Sequence, residues 1–144
     1  MIEMAFGFDD AVADFVQRHI EGCQPFGNVR AIGFVNDGVL IGGTVFHNYN
    51  PEAGVIELTT AATSPRWLTR TTLHAIFAYP FERCGCQMLY LRVKAGNERM
   101  VRIARRYGFN EHRIPRMWGR DEDGFIFTLT DDQWRETSFE RHRK

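Results

Sequence analysis

Three cysteines in 144 residues, Cys23, Cys84 and Cys86, are too few for a disulfide framework. Cys84-Gly85-Cys86 is too tight for an easy bridge and has no histidine at zinc-finger spacing, so free thiols and no metal site are expected. Thiols left free suit a reducing cytosol. No apolar run reaches the ~18–20 residues that cross a bilayer, which excludes a membrane-spanning helix. Met1-Ile2-Glu3-Met4 lacks the basic region and long apolar stretch of a secretory signal, so a cytoplasmic protein is expected. Net charge is also missing, because 18 Lys+Arg balance 18 Asp+Glu. Neither an internal repeat nor a linker interrupts the chain.

What is present is ample apolar surface. Hydrophobic residues at 44% and aromatics at 13% can fill the core of one domain, which buries roughly two-thirds of its unfolded surface at this length. The balanced charge is unevenly placed. Residues 1–28 contain five acids and one base, whereas residues 66–120 contain twelve bases and three acids. A local excess of that kind attracts polyanions. A phosphate-bearing cofactor, a nucleic acid and a merely solvated face are all open at this point. Nucleic acid ranks last, since no helix-turn-helix, zinc or RNA-recognition signature accompanies the charge.

Periodicity divides the chain in two. Val12, Phe15, Val16, His19 and Ile20 predict an amphipathic helix over about 9–21, with Asp9 and Asp10 as possible caps. Ala31–Val35 and Val39–Tyr49 read as strands joined by a tight Asp37-Gly38 turn. Gly42-Gly43 suggests a bulge in the second. A third strand, Val55–Ala61, leads through a polar turn to a helix over about Thr69–Cys84 that Pro80 should kink. A fourth strand, Met88–Val93, precedes a helix over about Glu98–Tyr107, with Met100, Ile103, Ala104 and Tyr107 facing inward and Gly108 as C-cap. Strands near Glu111–Met117 and Phe125–Leu129 follow, then a short helix with a Thr130/Gln133 capping box. The domain is expected to span 1–134, with a polar tail over 135–144 that frays. A strand feeding a helix feeding a strand implies a right-handed parallel crossover. The turn at its top is where an open α/β sheet takes a ligand, and a helix N-terminus there suits a phosphate.

Residues 30–134, most strongly Val55–Phe109, resemble the GNAT acetyltransferase superfamily. Phe77-Ala78-Tyr79-Pro80-Phe81, the approach to Met88–Val93, and Asn97 through Gly108-Phe109 are similar to its ribosomal-protein N-terminal acetyltransferase-like branch. The resemblance implies an α/β fold: a mixed, mostly antiparallel sheet with a central parallel crossover, flanked by helices. It implies acetyl-CoA as co-substrate and direct transfer of acetyl to a primary amine in a ternary complex. A family member usually carries an Arg/Gln-x-x-Gly-x-Gly/Ala loop before the crossover helix. Here Arg66-Trp67-Leu68-Thr69-Arg70-Thr71 stands in its place, with threonines for glycines, which removes the closest backbone approach but retains the N–H donors.

By the same resemblance Thr59 and Ala61 run beside the cofactor, Asn97 meets its pantetheine region, and Arg102 (with Arg99 and Arg106) meets its ribose phosphate. Asn97 is equally a good N-cap, and the arginines a solvated face. The attacking amine must be neutral, so a base helps, and the departing thiolate gains from a donor. Glu57, the one ionisable residue of Val55–Ala61, is the base expected. Tyr107 is the donor left to consider, because the family's usual tyrosine position is Ala104 here. His47 and His112 are expected to be structural or surface residues. The acceptor is expected to be a protein N-terminus, a small amine or an antibiotic, in that order, with no membrane partner and a monomer or homodimer. A catalytically weak module that binds CoA or a protein is the competing reading.

Overall fold

A computed structural model describes residues 1–136. Seven strands form one sheet: β1 (Ile2–Phe6), β2 (Arg30–Asn36), β3 (Val39–Asn50), β4 (Val55–Ala62), β5 (Met88–Lys94), β6 (Asn110–Ile114) and β7 (Gly124–Thr130). Four helices flank it: α1 (Asp9–Arg18), α2 (Arg70–Ala78), α3 (Glu98–Tyr107) and α4 (Asp131–Glu136). The strand order is β1-β2-β3-β4-β5-β7-β6. Only β4 and β5 run parallel, and they pair over Val55↔Met88, Ile56↔Leu89 and Glu57↔Tyr90 before parting. The expected mixed sheet with one crossover is therefore present.

Local chemistry accounts for most boundaries. Asp37 and Gly38 both adopt positive φ (51° and 80°), closing the two-residue β2–β3 hairpin as its sequence predicts. Asn97 Oδ1 accepts from Met100 N, and Gly108 ends α3 at φ 101°. Thr130 and Gln133 exchange the reciprocal bonds of a capping box, so α4 continues through Glu136 instead of stopping at 134. Residues 137–144 of the expected tail lie outside the described residues.

Four expectations need correction. β1 was not foreseen; it is a short edge strand that exists through its pairing with β2. Helix α1 stops at Arg18, and Phe8 at its N-cap makes no side-chain bond. Asp9 Oδ1 instead accepts from Ala31 N at 2.8 Å, a tie across 22 residues that local reading cannot see. Pro80 does more than kink a long helix: α2 ends at Ala78, and a wider turn over Tyr79–Arg83 follows, closed by Cys84 N donating to Tyr79 O. On α3 Ala104 is buried and Met100 and Tyr107 pack inward, half-buried, as expected, but the other fully buried residue is Val101, which the expected inner face left out.

The sheet is covered unequally. On one face Ile56, Leu58, Leu89 and Leu129 pack with Ile76 and Phe77 of α2 and Trp134 of α4; Val93, Phe125 and Phe127 pack with Val101 and Ala104 of α3. On the other, Val12, Phe15 and Val16 of α1 pack on Ala31, Val45 and Ala61. Helix α1 thus lies over β2–β4 and leaves that face of β5 open. Gly43 explains how α1 sits so close: a Cβ there would come within 2.4 Å of Val12 Cγ1. The extra residue in β3 is Ile41, opposite the Phe34/Val35 step, just before the expected Gly42-Gly43 position. Gly43→Ala should lower stability by about 1–3 kcal/mol through overpacking, read as a lower urea midpoint. An unchanged midpoint would show that α1 yields without cost.

Candidate active site

Side chains alternate along β4, so Glu57 points away from Ile56 and Leu58, to the α1 face where the sheet is open. It is the last residue of β4 paired to β5, partnered with Tyr90. Glu57 is only 2% exposed. A buried carboxylate needs partners, and two strands, β3 and β5, supply three of them. Arg92 Nε donates to Oε2 at 2.7 Å, Asn48 Nδ2 donates to Oε1 at 2.7 Å, and His47 Nε2 stands 3.9 Å from Oε2.

A second β-bulge delivers Asn48. Between His47↔Glu57 and Asn50↔Val55 the register slips, and Asn48 takes φ 51°, a left-handed conformation asparagine tolerates better than most residues. Nothing in the local sequence marks this bulge. It re-aims the Asn48 amide at the carboxylate.

His47, expected to be structural or at the surface, lies in the same group. Its Nε2 shares a 2.7 Å hydrogen bond with the Thr59 hydroxyl, and its ring meets Phe26 edge-on at 4.9 Å. Burial pulls its pKa below the usual imidazole range, more than the Glu57 charge raises it, so the ring is neutral at neutral pH. Burial and then the Glu57 charge push the Tyr90 phenol above its ordinary range.

Glu57, His47, Asn48 and Arg92 line a cleft of about 1790 Å³, bounded by α1, the 19–30 segment, β3, β4, β5, Asn97, Met100 and Trp118. Cys23 and Phe26 roof the Glu57 end, in a stretch bounded by Gly22 and Gly27 at φ 75° and 76°. Of the residues singled out in the sequence, Glu57, Thr59 and Asn97 meet here. Asn97 uses its side-chain oxygen as the α3 cap, so the bland role is realised as well.

The remaining candidates lie apart. Ala61 is buried beneath α1, which leaves its backbone for contact. Beyond Glu57 the β5-facing edge of β4, Leu58–Ala62, has no strand partner among the described residues. That edge leads, over roughly 16 Å of extended chain, to the turn before α2. Ser64 caps a single 3-10 turn over Pro65–Trp67, and Trp67 is buried against Phe34 with ring centroids 5.4 Å apart. Trp67 is thus an anchor of the turn. Thr69 caps α2 in a reciprocal box with Thr72. No residue of this turn takes a positive φ, so threonine fits where the family carries glycine. Arg66, Leu68, Arg70 and Thr71 are exposed around the helix start, whose first N–H groups have no intrahelical acceptor.

On α3, Arg105 is committed to Glu111 by bonds of 2.6 and 3.0 Å, whereas Arg99, Arg102 and Arg106 are exposed with no ion pair among the described residues. Tyr107 packs against Phe77 at 4.9 Å and Phe109 at 5.7 Å and does not line the cleft.

Comparison with solved structures places this arrangement. The spermidine/spermine N-acetyltransferase SpeG from Vibrio cholerae is 14% identical, superposes with a TM-score of 0.76, and is matched over 94% of this chain and 95% of that one. The acetyltransferase yncA from Salmonella typhimurium, solved with its cofactor acetyl-CoA, is 15% identical at a TM-score of 0.69, over 90% and 94%. A probable acetyltransferase is 20% identical at 0.65, over 75% of this chain and 65% of that one, so this chain spans just under two-thirds of that neighbour. This chain has the GNAT acetyltransferase fold. No protein-family model matches the sequence, and no curated protein does. Among the described residues, no helix is long and apolar enough to cross a membrane.

Proposed function

We propose that this GNAT-fold protein is an acetyl-CoA-dependent N-acetyltransferase acting on a primary amine. The observation that carries the reading is the parting of β4 and β5 immediately after Glu57, which sets an ionisable buried side chain at the junction of an open strand edge and a cleft. Two features fit acetyl-CoA. The unpaired edge Leu58–Ala62 offers backbone donors and acceptors to an extended amide-bearing chain, and the start of α2 offers N–H groups to a diphosphate. Arg66 and Arg70 would add charge there, Thr69 and Thr71 hydroxyls, Leu68 and Trp67 backbone; Asn97 and Arg102 would meet the rest of the cofactor.

Bound so, acetyl-CoA supplies a thioester as the electrophile. Glu57 would take the amine proton through a lone pair that Arg92 and Asn48 leave open, or through water. Tyr107 is retained as the proton donor to test, and the separation of its packed ring from the cleft favours positioning as the larger source of rate. The chain's likeness to the ribosomal-protein branch supports a protein N-terminus as acceptor; the open cleft supports a small amine.

One observation favours a module that binds without turnover: both Glu57 oxygens already accept hydrogen bonds. Calorimetry with acetyl-CoA followed by thiol release over an amine panel separates the two. Tight binding with no thiol release on any amine would leave the module. Arg66→Ala or Arg70→Ala should weaken acetyl-CoA binding by roughly 1–3 kcal/mol if a charge-assisted bond is lost. Unchanged affinity in both, and in the double variant, would mean that the basic turn serves another ligand.

A further inference from the structure

We propose that the acceptor is a free α-amino acid whose carboxylate is held by Arg92, beside the amine that Glu57 deprotonates. This rests on the acetyltransferase reading above and narrows its acceptor. Arg92 commits one N–H, its Nε, to Glu57 at 2.7 Å. Its two terminal nitrogens have no partner among the described residues, and the side chain is 50% exposed at the cleft. A guanidinium presents such donors as a planar fork that matches a carboxylate.

Lys94 lies two residues along β5, on the same face as Arg92, and its nearest acid is Glu122 at 3.9 Å. Two of the acids lining the cleft are already engaged: Asp9 with Ala31 and Arg30, Glu57 with Arg92 and Asn48. Asp10 and Glu21 also line the cleft and are exposed. Arg92 is matched in charge by Glu57 and Lys94 by Glu122, yet the terminal nitrogens of Arg92 still offer unspent donors beside the Glu57 carboxylate. A carboxylate and a guanidinium in contact complement a molecule whose amine and carboxylate share one carbon. A peptide N-terminus carries no carboxylate on that carbon. Phe26, Tyr49 and Trp118 line the rest of the cleft with aromatic surface for a side chain.

In the transfer the zwitterion first loses one ammonium proton to solvent through Glu57. The amine nitrogen then bonds the acetyl carbon, the carbon–sulfur bond breaks, a second proton passes by way of Glu57 to the thiolate, and the third stays on the amide nitrogen. The products are an N-acetyl amino acid and CoA thiol.

The test is thiol release at saturating acetyl-CoA with free L-amino acids, their carboxamides and the matching decarboxylated amines. Calorimetry of the same amino acids against CoA-bound protein provides a readout apart from turnover. At least one free amino acid should bind, with kcat/KM about 10- to 100-fold above its amide. Arg92→Lys, which keeps charge but loses the fork, should raise KM for the amino acid and erase that ratio at unchanged acetyl-CoA affinity. Amides, decarboxylated amines, spermidine or a peptide N-terminus serving equally well would overturn the inference and leave the acetyltransferase standing, as would acetyl-CoA binding with no amino acid bound or acetylated. Failure to bind acetyl-CoA would sink both.

Discussion

Glu57→Gln should lower turnover by about 10²- to 10⁴-fold, the usual worth of a general base, with acetyl-CoA affinity unchanged. The substitution keeps shape and one acceptor oxygen but removes proton acceptance. It also sets an amide NH₂ against either the Arg92 Nε donor or the Asn48 donor, both now 2.7 Å from the carboxylate. Some stability is therefore lost, and retained acetyl-CoA binding is the check that the fold survives. The pH–rate profile adds a second reading. If Glu57 sets the acidic limb, the limb disappears in the variant. His47 is the competing group, since burial places its titration below the usual imidazole range; a limb that persists in Glu57→Gln and vanishes in His47→Gln belongs to His47. Tyr107→Phe should cost far less, because the ring packs against Phe77 and Phe109 whatever its hydroxyl does. Near-normal turnover in Glu57→Gln would leave positioning as the source of rate. A collapse confined to Tyr107→Phe would reverse the assignment.

Trp134→Ala should remove about 3–5 kcal/mol of stability, the range for deleting a buried aromatic. That is a large share of the ~5–15 kcal/mol typical of a domain. Trp134 is 1% exposed and stacks on Phe81 at 5.3 Å and on His74 at 5.9 Å. It is carried by α4, six residues long and too short to hold itself together in water. The indole therefore fastens α4 over the turn that follows α2. Urea unfolding followed by far-UV circular dichroism reads the effect, and Trp134→Phe should recover part of it. A midpoint unmoved by the alanine change would show that α4 adds nothing to the core.

The elements that local rules govern are legible in the sequence. Asp37-Gly38, Asn97 with Gly108, and Thr130 with Gln133 each do what their side chains and backbone freedom dictate within a few residues. The strand–helix–strand order likewise implied the parallel β4–β5 pair, because a right-handed crossover is nearly obligatory. Strand β1 and the Asp9–Ala31 tie were not legible, since each depends on a partner more than twenty residues away.

The same division runs through the site. Glu57 could be chosen from sequence because it alone is ionisable in its strand, and the basic stretch could be read as a place for phosphate. That Glu57 is buried, bonded to Arg92 across the parting strands and to Asn48 through a bulge, was decided only by the tertiary structure. Trp67 went from contact candidate to core anchor for the same reason. Local propensity and periodicity act over one turn or one hairpin, so they determine element type and face. Which polar groups converge on one point depends on register and on strands 9 to 35 residues apart meeting in space, and no local preference encodes that meeting.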